Sequence, residues 1–242
     1  MTVNRSAEYR GMFMLGVIVF GMLGRAGLLS ASIQDRPREF VSTKDPRPLS
    51  TVIKSLEVRC QCVITYEDPK WAADQVIDAP VPHPPNVHPH IPRGGPLAFG
   101  LDGMISKSPD SAGRYLQLAL ILSDEKGYGA FQFDVSAERV FHVRPSAGSV
   151  LTPPITFATE TKEMGQFVTS ILSDVQAANG EQTVVVTGPP DLMKARITAE
   201  ADHEPADLVL TRVVSAAGPR LSWQLFYDFD SQKYYLDIHV VE

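Results

Sequence analysis

The chain has 242 residues, 44% of them hydrophobic and 21% charged, with a formal net charge of −6. Length and balance suit one large or two small globular domains, each able to bury a core. The acidic sign and the absence of clustered Lys and Arg argue against nucleic acid or an anionic membrane surface as partner.

The first 32 residues are expected to lie outside that core. Arg5 and Arg10 precede "GMFMLGVIVFGMLG", a charge-free run from Gly11 to Gly24, and "AGLLSAS" follows. A basic start, a short apolar stretch and small residues at Ser30 and Ser32 form a secretory signal pattern, with cleavage expected near Ser32. The run is shorter than the roughly 20 residues of a membrane-spanning helix. Arg25 keeps an uncleaved anchor open as the alternative, and no cysteine stands nearby to carry a lipid. A periplasmic or secreted location follows as the expectation, with no membrane contact beyond the export signal.

In chain order, "EFVST" (39–43) reads as a strand, and Leu49, Val52, Ile53 and Leu56 repeat at i, i+3, i+4 and i+7 of a helix. "CQCVITYE" and "PLAFGLD" read as strands, separated by an insertion over 79–95. Pro109 opens a helix with Tyr115, Leu118, Ala119 and Leu122 as its stripe, and "YGAFQFDV" and "ERVFHVRP" close as a hairpin. After a connection near Ser146–Pro154 the order recurs. "ITFAT" is a strand, Met164 to Val175 an amphipathic helix stopped at Asn179-Gly180, and "QTVVVTG" and "ARITAEA" are strands. Pro205 opens a helix with Ala206, Val209, Leu210 and Val213 buried, and "LSWQLFYD" and "KYYLDIHVV" form a hairpin about "FDSQ".

The predicted architecture is therefore α/β (α+β), two small modules over 39–145 and 155–242, each β-α-β-β-α-β-β, pointing to an internal duplication. Phe141-His142-Val143 is matched with Ile238-His239-Val240, and Phe133-Asp134 with Tyr227-Asp228.

"PLSTVIKSLEVRCQCVITYED" and "EPADLVLTRVVSAAGPRLSWQLFYD" are each a proline-started amphipathic helix running into a strand that ends in Tyr and an acid. In this the modules resemble the secretin and TonB short N-terminal domain, and the whole looks like uncharacterised exported bacterial proteins. The resemblance implies small exported modules of two βαβ-like halves that make protein–protein contacts, with no catalytic residues to transfer. In that family the modules precede an outer-membrane channel; no channel is read within these residues, and the attachment role is not carried over as an expectation.

No GxSxG elbow, phosphate-cradling glycine loop, HExxH or CxxC occurs. Cys60 and Cys62, read in one strand, would have Cα atoms roughly 6.5–7 Å apart, at the edge of disulfide reach. Two small buried thiols are the expectation, with a bridge, intermolecular pairing or redox chemistry open. "DFDSQK" lacks the glycine and twelfth-position Glu of a calcium loop, since Lys233 and His239 stand there, and reads as a hairpin turn. "VPHPPNVHPHIPRGG" (81–95) carries three of six histidines and five of nineteen prolines. It reads as a stiff connector rather than a metal site built from His83, His88 and His90.

The functional expectation is a non-enzymatic exported adaptor contacting an envelope protein, with no cofactor or metal. Its candidate interaction face lies opposite the helices of each module: His142 and Arg144 in the first, Tyr235, Asp237 and His239 in the second. A metal or small-molecule carrier using the insertion, and an exported hydrolase with a noncanonical site, are the rival readings.

Overall fold

Pro48 at the first helical position and the spacing of Leu49, Val52, Ile53 and Leu56 give helix α1, Pro48–Cys60, all four side chains buried. It belongs to a computed structural model describing residues 39–79, 89–101, 109–136, 139–181, 183–218 and 220–241. The expected signal over 1–32, together with His83 and His88, lies outside the described residues. No helix among the described residues is long and apolar enough to cross a membrane.

Around α1 the N-terminal half contributes β1 (Glu39–Thr43), β2 (Ile64–Glu67), β3 (Val76–Asp78), β4 (His90–Pro92), β5 (Leu97–Leu101), α2 (Pro109–Glu125), β6 (Phe131–Val135) and β7 (Phe141–Pro145). The C-terminal half contributes β8 (Pro154–Glu163), α3 (Met164–Asn179), β9 (Thr183–Thr187), the short α4 (Pro190–Met193), β10 (Arg196–Pro205), α5 (Ala206–Ala217), β11 (Leu221–Asp228) and β12 (Lys233–Val240). Gly180, at φ 75°, ends α3 where the sequence places the stop, and its N–H donates to the Gln176 carbonyl at 2.8 Å.

The mixed α/β class holds. The two modules, however, are joined: one six-stranded sheet runs β6-β7-β2-β11-β12-β9, and Arg36–Glu242 form a single compact unit. Each half supplies three consecutive strands. Each also supplies a two-stranded ribbon, β1–β5 or β8–β10, packed on its own two helices.

The pairing repeats strand for strand. β6–β7 and β11–β12 are antiparallel hairpins, and β2–β7 and β9–β12 are parallel neighbours. The β2–β11 seam between the halves is parallel, so β7, β2 and β11 run one way and β6, β12 and β9 the other. Left-to-right order is kept while every direction reverses. The operation relating the halves is thus a half-turn about a line across the sheet, combined with an advance of three strands.

Such an operation exchanges the faces, and the helices obey it. Val143, Tyr66, Gln224 and Asp237 stand in one registered row on the face covered by α1 and α2. Glu67, Leu225 and Leu236 form the next row, on the face covered by α3 and α5, where Trp223 Nε1 donates to Thr211 at 3.0 Å.

Register also corrects the internal alignment. Ile64 of β2 pairs with Phe141, and Thr183, which also opens its strand, pairs with Tyr234. Phe141-His142-Val143 therefore corresponds to Tyr234-Tyr235-Leu236, and Arg144 to Asp237. In this register the two His-containing triplets stand four residues apart, so they do not occupy matching places in the sheet.

The cysteine expectation changes as well. Cys60 is the last residue of α1, not part of a strand, and Gln61 at φ 52° turns the chain back. The Cα atoms come within 5.2 Å and the sulfurs form a disulfide. A bridge closing so short a loop adds about 1–2 kcal/mol in the chain-entropy model. Reduction is expected to lower the urea midpoint by that small amount and leave the fold intact; wholesale unfolding on reduction would contradict this.

Candidate interaction seam and groove

Helix α1 has a second stripe, polar, at Ser50, Lys54 and Glu57. Spaced i, i+4 and i+7, these lie on one helix face and reach across the seam onto the C-terminal half. Ser50 Oγ donates to Gln224 at 2.7 Å, Lys54 pairs with Asp237 at 3.0 Å, and Glu57 meets His239 Nε2 at 2.9 Å. Glu57 is buried, and its other oxygen accepts the Ile64 N–H at 2.9 Å. Partial burial opposes the ionised form of Asp237, but bonds from Thr187 and Lys54 outweigh it and hold the carboxyl below its ordinary value.

Asp68, fully buried just past β2, ties the seam at one end. Its Oδ2 receives Arg47 Nε at 2.7 Å, the Tyr227 N–H at 3.1 Å and Trp71 Nε1 at 3.3 Å, while Oδ1 receives the Tyr66 hydroxyl at 2.7 Å. Arg47 also donates to the Tyr227 carbonyl at 2.9 Å and lies over the Phe226 ring. Burial works against its charge, yet the Asp68 carboxylate keeps the guanidinium above its ordinary value. Burial, reinforced by Asp68, pushes the Tyr66 hydroxyl well up.

Glu67 points to the opposite face. Its oxygens accept the Ser149 hydroxyl at 2.5 Å and the Val150 N–H at 2.6 Å, fastening the connection between the halves to the seam. Burial raises this carboxyl to about 7 despite those two bonds.

Beside the seam, over β6 and β7, lies a groove of about 890 Å³ whose far wall is α5. Its floor carries His142 and Arg144, and Val135, Val140 and Leu208 give apolar walls. Arg144 bridges Asp134 at 2.6 Å and Asp207 of α5 at 3.3 Å. Arg212 pairs with Glu204 at 2.6 Å, and Thr65 Oγ1 lies 3.0 Å from His142 Nδ1.

The five residues singled out from sequence thus fall on two opposite faces. His142 and Arg144 line the groove, His142 buried. Tyr235, Asp237 and His239 share the other face, where α1 covers Asp237 and His239. The expectation that both helices of a module leave its far face open fails in the C-terminal half, because the neighbouring half lends it a helix.

Within the insertion, β4 pairs with β3, which directly precedes it, in a small ribbon, and His90 is taken up by the β11–β12 turn. Asp230 accepts the His90 N–H at 2.7 Å and meets ring Nδ1 at 2.6 Å. Burial opposes the shift, but these bonds hold Asp230 below the ordinary carboxylate range. Among the described residues no group of three or more His, Cys, Asp or Glu is placed to hold a metal. Asp230→Ala is expected to release this strap with a stability loss under about 1 kcal/mol, as for exposed pairs. Limited proteolysis with trypsin would read the release as faster cleavage after Arg93; an unchanged rate would count against the strap.

Glu57, Glu67 and Asp68 were not singled out from sequence as working residues. The stripe at 50, 54 and 57 was the available sign for Glu57, and the Tyr-Glu-Asp strand end for the other two. In comparisons with known proteins, no family model, no curated protein and no solved structure matches the chain.

Proposed function

We propose that the protein is an exported, non-enzymatic adaptor that works by protein–protein contact through the groove over β6 and β7. One observation carries this reading. The face of β11–β12 that corresponds to the groove floor seats a helix, α1, while among the described residues no counterpart helix fills the groove over Arg144 and the buried His142. A surface of the kind that receives a helix in one half is thereby offered to a partner in the other. Its charged groups hold one another in ion pairs, and its apolar walls supply area for contact.

Export is supported by the basic-then-apolar start of the chain and by the disulfide, a bond that persists in oxidising compartments. Each half is built of two β-α-β units, in keeping with the resemblance to the secretin and TonB short N-terminal domain.

The test is a photo-crosslinking amino acid placed at Leu208 in the groove, against Ile121 on the exposed side of α2, in the host cell. A discrete adduct at 208, missing at 121, is expected. No adduct at 208, together with turnover in a hydrolase screen, would overturn the adaptor reading.

A further inference from the structure

We infer that the two edges of the sheet are complementary, and that a second copy of this chain adds its β6 alongside β9 to extend the sheet head to tail. This rests on reading the groove as a contact surface and names what enters it.

The argument starts from the seam. β2 joins β11 in parallel, with Tyr66 opposite Gln224 and Glu67 opposite Leu225. By strand order, pairing and contacts to the helices, β9 stands in its half where β2 stands in the other, and β6 where β11 stands. Among the described residues, β9 and β6 each pair on one side only. The described sheet therefore ends in the same two kinds of edge that it joins internally.

Three further observations agree. First, the relating operation advances along the sheet rather than closing on itself, so repeating it places a third half beyond β9 with its faces correctly exchanged. Contacts of this kind are heterologous and grow into open chains. Second, α1 crosses the internal seam to seat on β11–β12, so its counterpart α3 would cross the external seam to seat on the β6–β7 floor of the next copy. That floor is the open groove. Third, the β9 edge is unguarded, reading Thr-Val-Val-Val-Thr with neither charge nor proline, and the one charge on β6, Asp134, is held by Arg144. Edge strands commonly carry one or both to prevent pairing.

The internal register sets the external one. Gln132 corresponds to Gln224 and Val185 to Tyr66, so Gln132 of one copy should stand opposite Val185 of the next.

The purified full chain is examined by sedimentation velocity across a concentration series, expecting an average mass that at least doubles as concentration rises. Val135 is half exposed, and its N–H points away from β7, since the Ser136 N–H donates to Val140. Val135→Pro should therefore leave the fold intact and hold the chain monomeric. Register is read separately from that variant: Gln132→Cys and Val185→Cys proteins, mixed and oxidised, should give a cross-linked dimer that neither gives alone. A wild-type chain monomeric at every concentration overturns the inference. So does cross-linking by either cysteine variant alone, which would mean like edges pairing. If the chain stays monomeric while Leu208 captures a different protein in cells, this inference falls and the adaptor reading stands.

Discussion

Replacing Asp68 with Ala is expected to cost about 4–5 kcal/mol of folding free energy, near the upper end for a single substitution. The change leaves the Arg47 guanidinium largely buried without its carboxylate, and removes the acceptor of Tyr66, Trp71 and the Tyr227 N–H. Breaking one side of a buried ion pair costs about 3–5 kcal/mol, and each stranded donor about 1–3 kcal/mol, though such losses overlap. Against a typical total of about 5–15 kcal/mol, the variant should unfold at far lower urea. Asp68→Asn, which keeps an acceptor, should fall between. Arg47→Met in the Asp68→Ala background should recover part of the loss by removing the unpaired charge. A drop below about 1 kcal/mol for Asp68→Ala would show that the hub does not hold the halves together.

Glu67 gives the second large effect, and its sign runs opposite to most carboxylates. Its folded-state value lies above the ordinary one, so the native chain keeps a proton that the unfolded chain has released. Stability from this group is fully present below the unfolded value and declines as pH rises to about 7. The loss amounts to about 3 kcal/mol by pH 8. Asp230 and Asp237, held below their ordinary values, act the other way: their contribution is present at neutral pH and fades only in acid. Glu67→Gln carries no charge, accepts from Val150 and donates to Ser149. It should therefore be more stable than the parent at pH 8 and near equal to it at pH 5. Denaturation curves at both values decide the matter: parallel pH profiles for the two proteins would show that Glu67 does not titrate in this window.

Most of the element order was legible in the sequence because it rests on local patterns; the short β3, β4 and α4, which fall where a connector and a turn were expected, were not. The stripes Leu49–Leu56 and Met164–Val175 gave their helices, and the alternation of Tyr234, Leu236 and Ile238 gave a strand with one buried face. How the halves meet was not legible. Two βαβ-containing modules read equally well as beads on a string or as parts of one sheet, because β2 and β11 carry no local sign of pairing at a distance. Cys60 was placed in a strand because "CQCVITYE" is β-branched at its end, whereas the helix runs on to that residue. The buried acids were hidden for a related reason. Glu57, Glu67 and Asp68 look like solvated surface until Arg47, His239 and Ser149 arrive from elsewhere in the fold.

The seam also dictates when folding can finish. Its bonds join Ile64 to Ser222 and Asp68 to Tyr227, separations of 158 and 159 residues, and Lys54 to Asp237 across 183. At ordinary rates of synthesis, about 5–20 residues per second, β2 waits roughly 10–30 s for the strand that completes it. Topologies that depend on such remote partners fold slowly, because a long loop must close before any contact rewards it. Throughout that interval the nascent N-terminal half has an unfilled edge and a polar helix stripe with nothing to bind. A chain cut short before β11 is thus a half-sheet in search of a partner rather than a smaller finished protein.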